Sequence, residues 1–286
     1  MSGSPGQPVI IEAAINGGNP AAPRSPDEIA ECATACIDGG AAIVHNHIDL
    51  FGPADEAAAR YREGWDPVLA AHPDALLYPT INGAGDVQDR VGHLESLAAT
   101  GGLLFGLIEP GSVNLGPRFA YMNSGADITY HADLCERLGL MPTLAIFEPG
   151  WLRAALSLWR AGRLPAGTML RLYFGGDYVE ADGGFWFGLP PSEVSLDAYL
   201  AMLDGCPLPW SVAVLGGDLF ESELPRLALE RGGHLRVGLE DFAGPELPSN
   251  EELVAQAVKA AEQVGRPVAS PADTARMLGL APVGGT

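Results

Sequence analysis

Two short stretches concentrate the residues able to do chemistry. In Ile43-Val44-His45-Asn46-His47-Ile48-Asp49 two imidazoles stand two residues apart. In Gly232-Gly233-His234-Leu235-Arg236-Val237-Gly238-Leu239-Glu240-Asp241 aliphatic and ionisable residues alternate and the run ends in two carboxylates. Read as a strand, the second stretch turns His234, Arg236, Gly238 and Glu240 one way and Leu235, Val237 and Leu239 the other. His45 and His47 share a strand face about 6.5–7 Å apart, a separation that two imidazoles can close onto one ion. If these strand ends meet, His45, His47 and Glu240 supply three ligands and leave positions open for water or substrate. That is the pattern of a catalytic metal site, and two imidazoles with one carboxylate favour Zn2+. The competing reading leaves one histidine at the surface and the other in the core. Asp241 points away from Glu240 unless the strand has already ended, in which case it is free to act as a general base. Arg236, deeper on the inward face, needs a carboxylate partner. It either holds that base or a substrate carboxylate, or makes a structural ion pair with Glu12. His234, deeper still, reads as a satisfied core histidine.

Such groups need a frame, and the chain supplies a regular one. Strand patterns fall at about 9–16, 41–47, 75–81, 102–108, 141–147, 168–174, 209–215 and 233–240. Helical patterns lie between them at about 27–38, 55–71, 87–99, 123–138, 150–161, 195–204, 221–231 and 250–264, with a short last helix near 271–279. Capping signals at Ser25-Pro26-Asp27-Glu28, Pro149-Gly150, Pro248-Ser249-Asn250-Glu251 and Ser270-Pro271 mark helix starts. Eight uninterrupted strand–helix repeats predict a closed parallel (β/α)8 TIM barrel, one α/β domain over 1–286 with a short C-terminal helix. The length, 286 residues, suits that architecture.

In a barrel of this kind function sits at the C-terminal ends of the strands, and the polar residues of this sequence fall there. Asn16 and Asn19 follow strand one, and Asn82 and Gly83 follow strand three. Glu109 and Ser112 follow strand four, and Glu148 follows strand five. These seven are candidate substrate contacts. The long connection 175–191, rich in glycine and aromatics, reads either as a mobile cover over an apolar part of a substrate or as a subunit contact. His72, His93 and His131 sit on or beside helices and are expected in the outer ring.

Bulk composition removes several classes of function. Net charge is −20, with 36 acidic against 16 basic residues, which argues against nucleic acid and anionic membrane surfaces. Lys259 is the only lysine and lies in a helix, so no strand end offers a Schiff-base amine. Cys32 and Cys36, four apart on one helix, read as small buried apolar groups, and no zinc-type C-x-x-C occurs. Met1 to Gln7 lacks the basic start and apolar run of a secretory leader, and no stretch of ~18 apolar residues suggests a membrane span. A reduced, cytoplasmic protein is expected.

The strand-two H-x-H, the turn Ile81-Asn82-Gly83, the run Pro110-Gly111-Ser112-Val113-Asn114-Leu115-Gly116, the strand-eight run ending in Glu240-Asp241, and the late segment Gly265-Arg266-Pro267-Val268-Ala269-Ser270-Pro271 together resemble the β-keto acid cleavage enzymes. The resemblance implies a zinc-dependent barrel that exchanges a β-keto acid with acetyl-CoA, giving acetoacetate and a new acyl-CoA. It also implies His45, His47 and Glu240 as Zn2+ ligands, Asp241 as base, Arg236 as the group that orients it, and assembly into a homo-oligomer, for which the apolar helix Trp151–Trp159 offers a contact face. Three positions depart from the pattern. Pro142-Thr143-Leu144-Ala145 stands where the family often has two glutamates, Asp218 follows Gly216-Gly217 where arginine is common, and Phe242 follows Asp241 where asparagine is common. A second reading, a CoA-independent lyase, aldolase or hydrolase on the same barrel, follows from these departures and from the acidic composition.

Overall fold

The computed structural model describes residues 6–49, 52–83, 85–116, 120–178 and 186–280. Its strands are β1 (Ile11–Ala14), β2 (Ile43–Asn46), β3 (Leu76–Pro79), β4 (Phe105–Ile108), β5 (Val113–Asn114), β6 (Ala120–Tyr121), β7 (Met141–Ile146), β8 (Met169–Gly175), β9 (Trp210–Leu215) and β10 (His234–Val237). The helices are α1 (Pro26–Asp38), α2 (Ala54–Ala71), α3 (Val87–Thr100), α4 (Gly125–Leu138), α5 (Pro149–Arg160), α6 (Glu193–Met202), α7 (Leu224–Glu230), α8 (Asn250–Gln263) and α9 (Pro271–Leu278). All eight expected strands and all nine expected helices are present. The small hairpin β5–β6 and a single 3-10 turn at Leu219–Glu221 were not anticipated.

Eight strands pair in parallel in the order β3-β2-β1-β10-β9-β8-β7-β4. The fold is an α/β TIM barrel, and it is nearly closed. Among the described residues no backbone ladder joins β3 to β4, contrary to the full closure expected from the repeat pattern. Side chains cover the seam instead, with the rings of Tyr78 and Phe105 5.8 Å apart across it. Both faces of the sheet are buried, which is why the strands read as near-continuous apolar runs.

The helices begin where side chains can take up the free amides of the first turn. Ser25, Ser249 and Ser270 form capping boxes as anticipated, and Asp86 and Ser124 do the same for α3 and α4. Helix α5 buries Trp151, Leu152, Ala155 and Leu156 against the barrel. The surface proposed there for subunit contact is therefore mostly spent within the chain, leaving Leu158 and Trp159 partly buried.

The strand-eight region departs from expectation in a way that matters for chemistry. β10 ends at Val237, three residues before the limit read from the alternation. Gly238 then takes φ +139, a value L side chains rarely adopt, and its carbonyl accepts from the amides of both Asp241 and Phe242. A Cβ at this position would lie 2.0 Å from the carbonyl oxygen of Ala14. Glu240 and Asp241 are thus delivered by a tight turn, and the even–odd rule of a strand does not govern them. Gly238→Ala combines a steric overlap with backbone strain of about 1–3 kcal/mol. Its melting temperature should fall by on the order of 10 °C, and a scan showing no change would remove this account of the turn.

Candidate metal centre

The ladder sets the depth of each group. His45 lies level with Ala14 on one side and with Tyr78 on the other, and Glu12 lies level with Arg236. β1 sits between β2 and β10, so groups leaving the last two strand ends converge over the first. His45 Nε2 is 3.2 Å from Glu240 Oε2, and His47 Nε2 is 3.1 Å from Glu240 Oε1. One donor atom from each of the three residues lies within 4.8 Å of the others. His45 is buried, whereas His47 is 30% exposed and opens the site to the mouth.

Neighbouring backbone holds this arrangement. His47, just beyond β2, donates its amide to Asn16 Oδ1 at 2.6 Å, and its carbonyl accepts from Asn16 Nδ2 at 3.0 Å. The amide of Glu240 donates to the Ala14 carbonyl at 3.1 Å. Gly17, at φ +79, leaves the space Glu240 fills, since a Cβ there would meet its Cγ at 2.7 Å. The ring of His45 lies 4.5 Å from that of Tyr78, tilted by 30°.

Beneath the three donors is a buried charge network. Arg236 donates from Nε to Asp241 Oδ2 at 2.8 Å and from Nη1 to Glu12 Oε1 at 2.5 Å, and its Nη2 lies 3.1 Å from Glu240 Oε2. The two roles considered for Arg236, holding the base and pairing with Glu12, are both filled. Tyr78 completes the set: its hydroxyl donates to Glu12 and accepts from Arg171 and Arg236. Three carboxylates (Glu12, Glu240, Asp241) meet two guanidiniums (Arg171, Arg236), so one negative charge lacks a partner. That imbalance suits a bound cation.

Proton affinities follow from burial and charge. Burial lowers the His45 imidazole to about 4 against the pull of Glu240, so it is neutral and able to coordinate at neutral pH. Burial alone would raise Glu240, but His45 and Arg236 outweigh it and hold the carboxyl well below its ordinary range. Asp241 is pushed up to about 6, first by burial and then by Glu240, against the opposing charge of Arg236. Glu240 Oε2 makes no well-directed hydrogen bond despite its close neighbours. A carboxylate whose two oxygens each face one imidazole nitrogen, with the buried Oε2 lacking a well-directed donor, is the environment of a metal ligand, so the residues fit a divalent cation.

The other candidates divide. Asn16 donates both Nδ2 hydrogens, to the His47 and Pro23 carbonyls, and accepts the His47 amide, so it braces a ligand residue. Asn19 turns its own loop, accepting from the Ala21 amide. Ser112 exchanges hydrogen bonds with the Asn123 backbone, and Glu148 Oε1 accepts from the Gly188 amide at 2.9 Å. Asn82 pairs through its backbone with Arg90, and Gly83 beside it is exposed. Glu109 stands at the end of β4 with Oε2 unpartnered. In the loop 175–191, residues 179–185 lie outside the described residues, so the cover or contact expected of it has no structural account here. His234 accepts the Ile10 amide at Nδ1, as a core histidine should. His93 and His131 are on helices but buried against the sheet.

Sequence reading missed Arg171, Tyr78 and Arg90. Arg171 carried the same signal as Arg236, a lone charge inside the apolar strand Met169-Leu170-Arg171-Leu172. Tyr78 had none, because its place beside His45 depends on β2–β3 register.

Comparison with known proteins places the chain in a family. A family profile described as beta-keto acid cleavage enzyme matches residues 8–280. A 3-keto-5-aminohexanoate cleavage enzyme from Acetoanaerobium sticklandii is 26% identical over 95% of this chain and 98% of its own. A 3-oxoadipate:acetyl-CoA acetyltransferase from Cupriavidus necator is 28% identical over 96% and 95%. Among solved structures, the apo form of ObcA superposes with TM-score 0.71 at 19% identity, covering 91% of this chain and 66% of that one, a likeness of fold. No helix among the described residues is long and apolar enough to cross a membrane. With a match running from β1 through α9, the chain belongs to the beta-keto acid cleavage enzyme family.

Proposed function

We propose that this enzyme is a Zn2+-dependent acyltransferase that exchanges a β-keto acid with acetyl-CoA, giving acetoacetate and a new acyl-CoA. The observation that carries the reading is the meeting of His45, His47 and Glu240 directly above the Arg236–Asp241 pair. The three would hold the ion, which when bound supplies a Lewis acid for the keto and carboxylate oxygens of the substrate. Asp241 takes a proton from C2 of the keto acid, and Arg236 keeps its carboxylate aimed and matched in charge. The C2 carbanion forms a bond to the acetyl carbon and CoA thiolate leaves. The thiolate then adds to C3, the C2–C3 bond breaks, and acetoacetate regains its C2 proton from Asp241. Carbon, charge and protons balance, and neither an oxidant nor a reductant is needed. Support comes from the names of the two relatives above, one a β-keto acid cleavage enzyme and the other an acetyltransferase with acetyl-CoA in its name. A homo-oligomer accords with the reading.

Incubation of the purified protein with acetyl-CoA and a panel of β-keto acids should release acetoacetate and the matching acyl-CoA, read by mass spectrometry. Silence across the panel with metal bound would remove this function.

One observation favours the CoA-independent reading. A cavity of about 610 Å3 beyond the ends of β8 and β9, lined by none of His45, His47, Glu240 and Asp241, is bordered by Asp177, Glu193, Asp218, Glu221 and Glu223, with no lysine or arginine among its described residues. Such a wall repels the phosphates of CoA. Consumption of keto acids at equal rates with and without acetyl-CoA would select that alternative.

A further inference from the structure

We propose that Glu109 selects the substrate, its buried carboxyl receiving a primary ammonium carried on the distal arm of the β-keto acid. This rests on the reading of the site as a β-keto acid cleavage centre. Glu109 directly follows β4, on the strand-end rim that also bears His47 and Glu240. Its side chain is 16% exposed, and Oε2 has no hydrogen-bond donor.

Among the described residues, the cation beside it does not fill the need. Arg90 Nη2 stops 4.0 Å from Oε2, beyond hydrogen-bond range. That guanidinium is already held by the carbonyls of Asn82 and Met122, by Asn123 Oδ1 and by the Tyr121 hydroxyl. It is therefore a fixed part of the wall. Burial, with a further contribution from Glu240, pushes the Glu109 carboxyl up to about 8 despite Arg90. A buried acid oxygen without a donor is costly, and an incoming donor with a positive charge relieves both deficits at once. A primary ammonium brings three N–H groups and a charge. A quaternary ammonium brings charge without a donor, an alkyl arm brings neither, and a carboxylate meets repulsion. Glu148, the glutamate that follows β7, is already engaged by the Gly188 amide.

The test compares 3-keto-5-aminohexanoate, 3-dehydrocarnitine, 3-oxoadipate and 3-oxohexanoate, each with acetyl-CoA. In the wild type, kcat/KM for the amine should exceed that for 3-oxohexanoate by about 100-fold. In Glu109→Gln that ratio should collapse to within about threefold, with a melting curve that shows the variant folded. A wild-type ratio near one, or a ratio unaltered by the substitution, overturns the assignment. If none of the four acids turns over, the proposed function fails, and the assignment is read separately. Calorimetric titration of the metal-loaded protein with 3-keto-5-aminohexanoate alone should then show at least about tenfold weaker binding to Glu109→Gln than to wild type. Equal affinities overturn it.

Discussion

His47→Ala should lose its metal and with it nearly all activity. The protein as purified is expected to carry about one equivalent of zinc per chain, three protein ligands being the usual complement of a catalytic site. Removal of one ligand leaves His45 and Glu240, and retention after dialysis should drop by at least about 100-fold, more than the loss usual for an outer-shell change. His47 is the right ligand to remove because its side chain is 30% exposed and its structural bonds run through the backbone, to Asn16. The deletion takes one hydrogen bond from Glu240 Oε1, at 3.1 Å, and leaves the backbone bonds to Asn16 in place, so the melting curve of the metal-free form should fall by only a few degrees. Glu240→Gln is a poorer probe, since it also disturbs the buried Arg236. Elemental analysis of the two proteins, beside acetoacetate release, decides the matter. Full zinc content in His47→Ala, or wild-type activity in a zinc-free sample, would dismantle the centre described here.

How much of this was legible beforehand depends on the range of the interaction. Strand and helix positions were readable because apolar runs and caps such as Ser25 and Ser249 are local signals. Convergence of His45 and Glu240, 195 positions apart in sequence, was readable only through the barrel rule that places the last strand beside the first. Register was not readable. That is why nothing in the sequence points to Tyr78, or shows that the Asn16 side chain holds the His47 backbone. The end of β10 was misjudged for a related reason: alternation continues through Leu239 and Glu240, but close approach to the Ala14 carbonyl forces Gly238 into a turn. The misplaced strand end still gives a right placement for Glu240. A strand would have turned it inward, and so does the turn, which brings Asp241 inward as well. The seam between β3 and β4 had no sequence signal, since both strands have the same buried apolar character as the rest.

Asp241→Asn should separate the base from the metal. The side chain is buried, and its carboxylate is held by Arg236 through Nε at 2.8 Å and Nη2 at 3.4 Å. Asparagine keeps the shape and one acceptor for Arg236, so the protein should fold and retain zinc close to wild-type content. What it loses is the ability to accept a proton. General-base removal usually costs 100- to 10,000-fold, about 10²–10⁴ in kcat, with KM for the keto acid far less affected because the group takes no part in ground-state binding. Exchange of the C2 protons of the keto acid into deuterated water offers a second reading on the same step. Wild-type protein with zinc should speed that exchange in the absence of acetyl-CoA, and Asp241→Asn should not. Arg236→Lys gives the companion result: one ammonium cannot reach Glu12 and both oxygens of Asp241 together, so activity falls while some base function persists. Loss of zinc from Asp241→Asn would make the aspartate a support for Glu240 and move the base elsewhere. Unchanged kcat with zinc in place would leave the Arg236–Asp241 pair a purely structural feature of the barrel interior.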